Sequence, residues 1–166
     1  KTYTNSSPDG ELVLVVDKNV NPILADGSIS LSNGATVTLP NGAIISGSDG
    51  TTVDAVGNIA VPPEPQGGSV TIDGDTYTAV GGGMNLSYDE ETGIPTLTAG
   101  KAQLSEAAKL KVITGSVADA EDPDYTYEES LIIENTGGQP VSVDKNGSIK
   151  VPSNGSISIE NTQMDT

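Results

Sequence analysis

The chain has 166 residues, 23 acidic groups against seven lysines, and no His, Cys, Trp, Phe or Arg. A formal charge of −16 repels phosphate backbones and anionic membranes, since both are bound through cationic side chains. Neither nucleic acid nor direct membrane insertion is therefore expected, and with His and Cys missing, acid–base and nucleophilic chemistry falls back on Ser, Lys and carboxylates.

That composition predicts a protein that is not an enzyme. It also rules out a disulfide scaffold, and no apolar run is long enough for a spanning helix. The opening Lys1-Thr2-Tyr3-Thr4-Asn5 lacks the apolar core of a signal peptide. Abundant Gly and Pro would point to disorder, but Val, Ile and Leu alternate with Ser, Thr and Asp throughout, which is strand patterning.

Glu11-Leu12-Val13-Leu14-Val15-Val16 is the most apolar run, and its β-branched residues predict a buried strand. Ile29 and Leu31 alternate with serines, predicting a half-buried one. Turn pairs then recur every eight residues: Asn33-Gly34, Asn41-Gly42, Asp49-Gly50 and Gly57-Asn58. Asn-Gly and Asp-Gly accept the positive φ of tight hairpin turns, so the rhythm predicts a β meander. Superposing the octads places Val37, Ile45, Val53 and Val61 at one position. Two-residue hairpin turns would swap the buried parity from strand to strand, so the constant position keeps a short solenoid as the alternative to the meander.

Pro62-Pro63-Glu64-Pro65-Gln66-Gly67-Gly68 is proline-stiffened and glycine-released. It predicts a linker between a domain over 1–62 and a second over 68–166, with a long loop inside a single sandwich as the alternative. Beyond it, Ser69–Ile72 and Thr76–Val80 flank Asp73-Gly74-Asp75 as a hairpin, and Met84–Tyr88 forms another short strand. Good helix formers with Leu104, Ala107, Ala108 and Leu110 towards one side predict a short helix near 102–110. A strand running on into Lys111–Thr114 is its alternative. The remainder is strand again, with Asn146-Gly147 and Asn154-Gly155 as tight turns.

Two stretches echo each other. Gly57-Asn58-Ile59-Ala60-Val61-Pro62 precedes Gly68-Ser69-Val70-Thr71-Ile72, and Gly147-Ser148-Ile149-Lys150-Val151-Pro152 precedes Gly155-Ser156-Ile157-Ser158-Ile159. Repeated supersecondary units point to modular proteins. From Leu131 to Ile159, Asn135-Thr136-Gly137, Pro140-Val141, Val151-Pro152 and Gly155 to Ile159 resemble the closing strands of immunoglobulin-like sandwich modules in bacterial surface and secreted proteins. The resemblance implies an immunoglobulin-like antiparallel sandwich over 68–166 and a non-catalytic extracellular module. It implies no ligand.

Several groups are candidates for chemistry. Asp119, Glu121, Asp122 and Asp124, with Glu128 and Glu129 beyond, offer hard oxygen donors for calcium, although EF-hand spacing is absent; a solvated acidic loop is the alternative, and no other cofactor is expected. Tyr125 and Tyr127 would share one face of a strand, a candidate sugar platform with Tyr77 or Tyr88 beside it. In a chain without Phe or Trp, tyrosines are equally candidates for core filling. Ser105 and Lys109 stand four apart, the spacing of a Ser–Lys pair on a helix, with no supporting motif. Lys18, Lys111 and Asn135 supply the residue types of an isopeptide crosslink.

Together these features predict an all-β, extracellular or cell-surface bacterial module that is structural or adhesive and monomeric, and that contacts other surface modules or cell-wall and host glycans. A carbohydrate- or host-macromolecule-binding module is the second reading, and a phage or virion fibre segment the third.

Overall fold

The computed structural model describes residues 3–5, 10–11, 13–16, 22–31, 35–62, 68–118, 120–122 and 124–165. All regular structure among them is strand. In chain order the strands are β1 (Tyr3–Asn5), β2 (Val13–Val16), β3 (Pro22–Asp26), β4 (Ser28–Leu31), β5 (Thr36–Thr38), β6 (Ile44–Gly47), β7 (Thr52–Asp54), β8 (Asn58–Val61) and β9 (Ser69–Ile72). They continue as β10 (Asp75–Ala79), β11 (Met84–Tyr88), β12 (Pro95–Ala99), β13 (Lys101–Leu104), β14 (Lys109–Ala118), β15 (Thr126–Asn135), β16 (Val141–Asp144), β17 (Ile149–Lys150) and β18 (Ile157–Asp165).

Two nine-stranded sheets result. The first has the order β1-β4-β7-β8-β11-β12-β14-β15-β18 and the second β2-β3-β5-β6-β9-β10-β13-β16-β17. Both orders follow the chain without a reversal, so each new hairpin is laid beside the previous one and neither sheet closes into a barrel. Pairing is antiparallel apart from β3 beside β5 and β12 beside β14, which run parallel. Strands on either side of 63–67 are neighbours in both sheets, β6 with β9 and β8 with β11. A Greek-key crossing is absent among the described strands, so the immunoglobulin-like arrangement expected over 68–166 is not confirmed; the all-β sandwich character is.

The octad rhythm resolves into two alternating kinds of turn. Asn41-Gly42 closes the β5–β6 hairpin, with the Gly42 N–H donating to the Leu39 carbonyl at 2.9 Å. Asp49-Gly50 instead carries the chain from the second sheet into the first, and Gly57 closes the β7–β8 hairpin. Asn33-Gly34 lies outside the described residues. The hairpin loops here are odd in length, so Val37 faces Ile45 and Val53 faces Ile59. Odd loops preserve parity, and Val37, Ile45, Val53 and Val61 all point into the core. The constant octad position thus arises without a solenoid. Where the turn has two residues, Asp73-Gly74, the buried parity does swap, from Val70 and Ile72 to Tyr77 and Ala79.

The helix expected near 102–110 is not formed. Its residues make β13, a turn at Ser105–Ala108 and the start of β14. Ala102, Leu104, Ala108, Leu110 and Val112 are all buried, a period of two along each strand that a helix would scatter round its circumference. Pairing with β10 and β16 on one side of the turn and β15 on the other outweighs intrinsic helix preference, which is a weak prior.

One continuous, mainly aliphatic cluster fills the space between the sheets, with Tyr77 and Tyr88 as its bulkiest members. The outer faces of the central strands carry mostly Ser, Thr and Asn, because every second residue of each strand points to solvent.

Candidate functional site

The acidic stretch sits at the tip of the long β14–β15 hairpin, where Glu121, Asp122 and Asp124 are exposed. Asp122 turns back on its own backbone. Its carboxylate accepts the Asp124 N–H at 3.3 Å and its carbonyl the Tyr125 N–H at 2.9 Å, a local turn built by the acidic stretch on its own backbone. Asp119 lies outside the described residues. Among the described residues no three His, Cys, Asp or Glu side chains gather closely enough to hold a metal ion.

Tyr125 is exposed beside this tip, while the Tyr127 backbone pairs with Val117 and Asp165 and its side chain lies outside the described residues. Tyr77 and Tyr88 are core residues and cannot join a sugar platform. The Tyr77 hydroxyl donates to the Lys109 carbonyl, and burial, followed by the Asp75 charge, raises its pKa well above the ordinary phenol value. The Tyr88 hydroxyl accepts the Asn41 amide at 3.1 Å, tying the β5–β6 turn to β11.

Among the described residues, concave patches lie on the outer face of each sheet. On the first sheet, Ser28, Thr52, Asp54, Asn58, Asn85 and Thr98, drawn from five neighbouring strands, border a groove of about 230 Å³. The register assembles it: Ser28 faces Asp54, and Ala60 sits between Thr52 and Asn85. Asp54 is spent on the β7–β8 turn, accepting the Val56 and Asn58 N–H groups at 3.1 and 2.8 Å and the Asn58 side-chain amide at 3.0 Å. The groove offers hydrogen bonds to a hydroxylated ligand but no aromatic face to stack a sugar ring. On the second sheet, Val80, Lys101, Ser142, Asp144, Ser148 and Lys150 surround a hollow of about 120 Å³, with Lys101 Nζ 3.8 Å from Asp144.

Asn135 is a structural residue. It is buried, its amide donates to the Leu104 and Gln139 carbonyls at 3.0 and 2.8 Å, and its oxygen accepts the Gly137 N–H at 3.0 Å. That network holds the Asn-Thr-Gly turn in place. Lys111 Nζ lies 3.8 Å from Glu128, and Lys18 lies outside the described residues. Ser105 and Lys109 lose their helical spacing with the helix, and Ser105 Oγ accepts the Thr76 N–H at 2.9 Å.

The chain matches no family model, no curated protein and no solved structure. The groove on the first sheet was missed by sequence reasoning. Its residues are individually visible as the outward positions of alternating strands, but the pairing that brings Ser28 near Asn85 leaves no local signature.

Proposed function

We propose that this chain is a non-catalytic, extracellular structural or adhesive module of a bacterial surface protein, acting as a spacer. The observation that carries this reading is the unreversed strand order of both sheets, which makes the hydrogen-bonding direction the long direction of the molecule. Nine strands at roughly 4.8 Å each separate β1 from β18 by about 38 Å before twist, and these are the first and last of the described strands. Whatever is attached at one end is therefore held away from whatever is attached at the other. The bacterial immunoglobulin-like resemblance falls on β15 to β18 and adds support to the surface setting.

The absence of cysteine makes the test direct. Asn5→Cys and Ser158→Cys place two dyes on opposite edge strands, and single-molecule energy transfer is expected to show one narrow population at about 40 Å. A broad or collapsed distribution sinks the spacer reading, and turnover of a glycan or peptide panel above blank sinks the non-catalytic one. The polar groove on the first sheet favours a second reading, a carbohydrate-binding module. A glycan array showing binding that Asn85→Ala abolishes would select it.

A further inference from the structure

The sequence echo is a structural repeat with the two sheets exchanged. Residues 52–62 correspond to 142–152, and 68–72 to 155–159. In both copies an Asp caps the hairpin turn: the Gly57 N–H reaches the Asp54 carbonyl at 3.1 Å, and the Gly147 N–H reaches that of Asp144 at 2.8 Å. Thr52 faces Ala60 as Ser142 faces Lys150, and Val53 faces Ile59 as Val143 faces Ile149. After the proline, Gly68 lies against the Val61 side chain and the Pro62 carbonyl, and Gly155 lies against Val151 and Pro152 in the same way. The flanking partner matches as well: Ile72 faces Ile45 of β6, and Ile159 faces Ile133 of β15.

The copies differ in what comes next. In the first, β11 covers β8 and β10 covers β9, so Ile59, Val61, Val70 and Ile72 are no more than 4% exposed. In the second, β17 and β18 are the edges of their sheets among the described residues. There Val151 and Ile159 are 40% and 50% exposed, and Ile149 and Ile157 only half-buried. The second copy has the same aliphatic face, and among the described strands none takes over it the place that β10 and β11 take over the first.

We propose that this end of the sandwich is an acceptor for the opposite end of a second copy of the chain, which adds edge strands to β17 and β18 and gives head-to-tail association. The opposite end is suited to the task. It presents one edge strand per sheet, β1 and β2, and β2 is the most apolar run, with Val13 exposed. Charge is complementary where β2 would meet β17: exposed Glu11 and Asp26 flank β2, while exposed Lys145 and Lys150 stand at β17, with Lys101 beside them paired to Asp144. Of the two acceptor strands, β18 is the longer and carries neither proline nor lysine, the residues that commonly block strand addition, whereas the short β17 carries Lys150. Because the two joined surfaces differ and lie at opposite ends of the sheets, the contact is heterologous and adds copies head to tail instead of stopping at a two-fold dimer. The inference departs from the monomer expected from sequence, and it stands on the repeat, so it does not depend on the spacer reading; the dye-distance measurement can fail while association holds.

Sedimentation of the whole chain from low to high micromolar concentration tests it. The average mass is expected to rise with concentration and show no plateau at a dimer. Ile159→Lys and Val13→Lys should each weaken association by about tenfold or more, whereas Val56→Lys, in an exposed turn, should leave it unchanged. An equimolar mixture of the Ile159→Lys and Val13→Lys chains retains one good edge of each kind and should stop at a dimer. Monomer mass at every concentration, a wild-type plateau at dimer, or growth that survives Ile159→Lys overturns the proposal. Should Ile159→Lys fail to fold, hydrogen exchange on the wild type decides: protection of amides 157–160 should rise with concentration, and concentration-independent exchange overturns it.

Discussion

Gly57 and Gly147 occupy the same turn position in the two copies of the repeat, with φ near +100° and +89°, where an L side chain is strained by about 1–2 kcal/mol. Their surroundings differ. A Cβ at Gly57 would be driven into the Tyr88 carbonyl of β11, whereas one at Gly147 would meet only the Thr114 methyl at an ordinary 3.7 Å. Gly147→Ala is therefore expected to cost about 1–2 kcal/mol and Gly57→Ala distinctly more, about 3 kcal/mol or above, because backbone must also move. Urea unfolding of both variants measures the gap, and equal costs would contradict it. Asp75 makes a second prediction at this scale. Burial first, then the Asp73 and Glu134 charges, raise its pKa, so folding favours its protonated form. Its contribution to stability is present below the unfolded carboxyl value and is lost as pH rises through the folded one. Asp75→Asn should consequently raise the melting temperature at pH 7, and the gain should vanish as pH falls below about 4. A variant less stable than wild type at neutral pH would refute this.

At the scale of elements, legibility followed periodicity. The Asp73-Gly74 hairpin and the alternating run at Ile29–Leu31 were readable because turn chemistry and period-two patterning agree there. The segment 102–110 was misread because its composition favours a helix while its buried positions, Ala102, Leu104, Ala108 and Leu110, keep strand parity only across a turn that no glycine announces. Ala107 takes that turn at φ 70°, a conformation an alanine adopts at a cost. Its N–H donates to the Asn135 carbonyl at 2.8 Å, which holds it there. Ala107→Gly should relieve the strain and stabilise the fold by about 0.5–1 kcal/mol despite glycine's greater freedom when unfolded, as read from the urea midpoint; a loss of stability would show that the alanine is unstrained. Turn chemistry also told where the chain turns but not into which sheet. Asn41-Gly42 and Asp49-Gly50 read alike, yet one closes a hairpin and the other changes sheet. That choice is made by long-range partners such as Leu31, whose carbonyl accepts the Gly50 N–H at 3.0 Å. The candidate sites fared similarly: the acidic tip was visible as composition, while the groove depends on five strands in register.

For the molecule as a whole, the unreversed strand order means that each strand contacts mainly its neighbours in the sheet and the facing strands across a core one layer thick. Stability in such an arrangement is distributed along one dimension, as in repeat architectures, and the ends have a neighbour on one side only. The interior strands β6 to β11 place Ile45, Val53, Ile59, Val70 and Leu86 at 0–1% exposure, against 40–50% for Val151 and Ile159 at one end. The free energy of local opening should therefore fall from the middle towards both ends. Native-state hydrogen exchange at low protein concentration, where the ends are unpartnered, is expected to show the slowest amides in β6 to β11 and the fastest in β2 and β17. Raising concentration should slow β17 and β18 while leaving the interior unchanged, because a neighbour on the open end gives the second repeat copy the cover that β10 and β11 give the first. Uniform protection from end to end would mean that the two sheets open as one cooperative block, and the one-dimensional description would have to be abandoned along with the special status of the end.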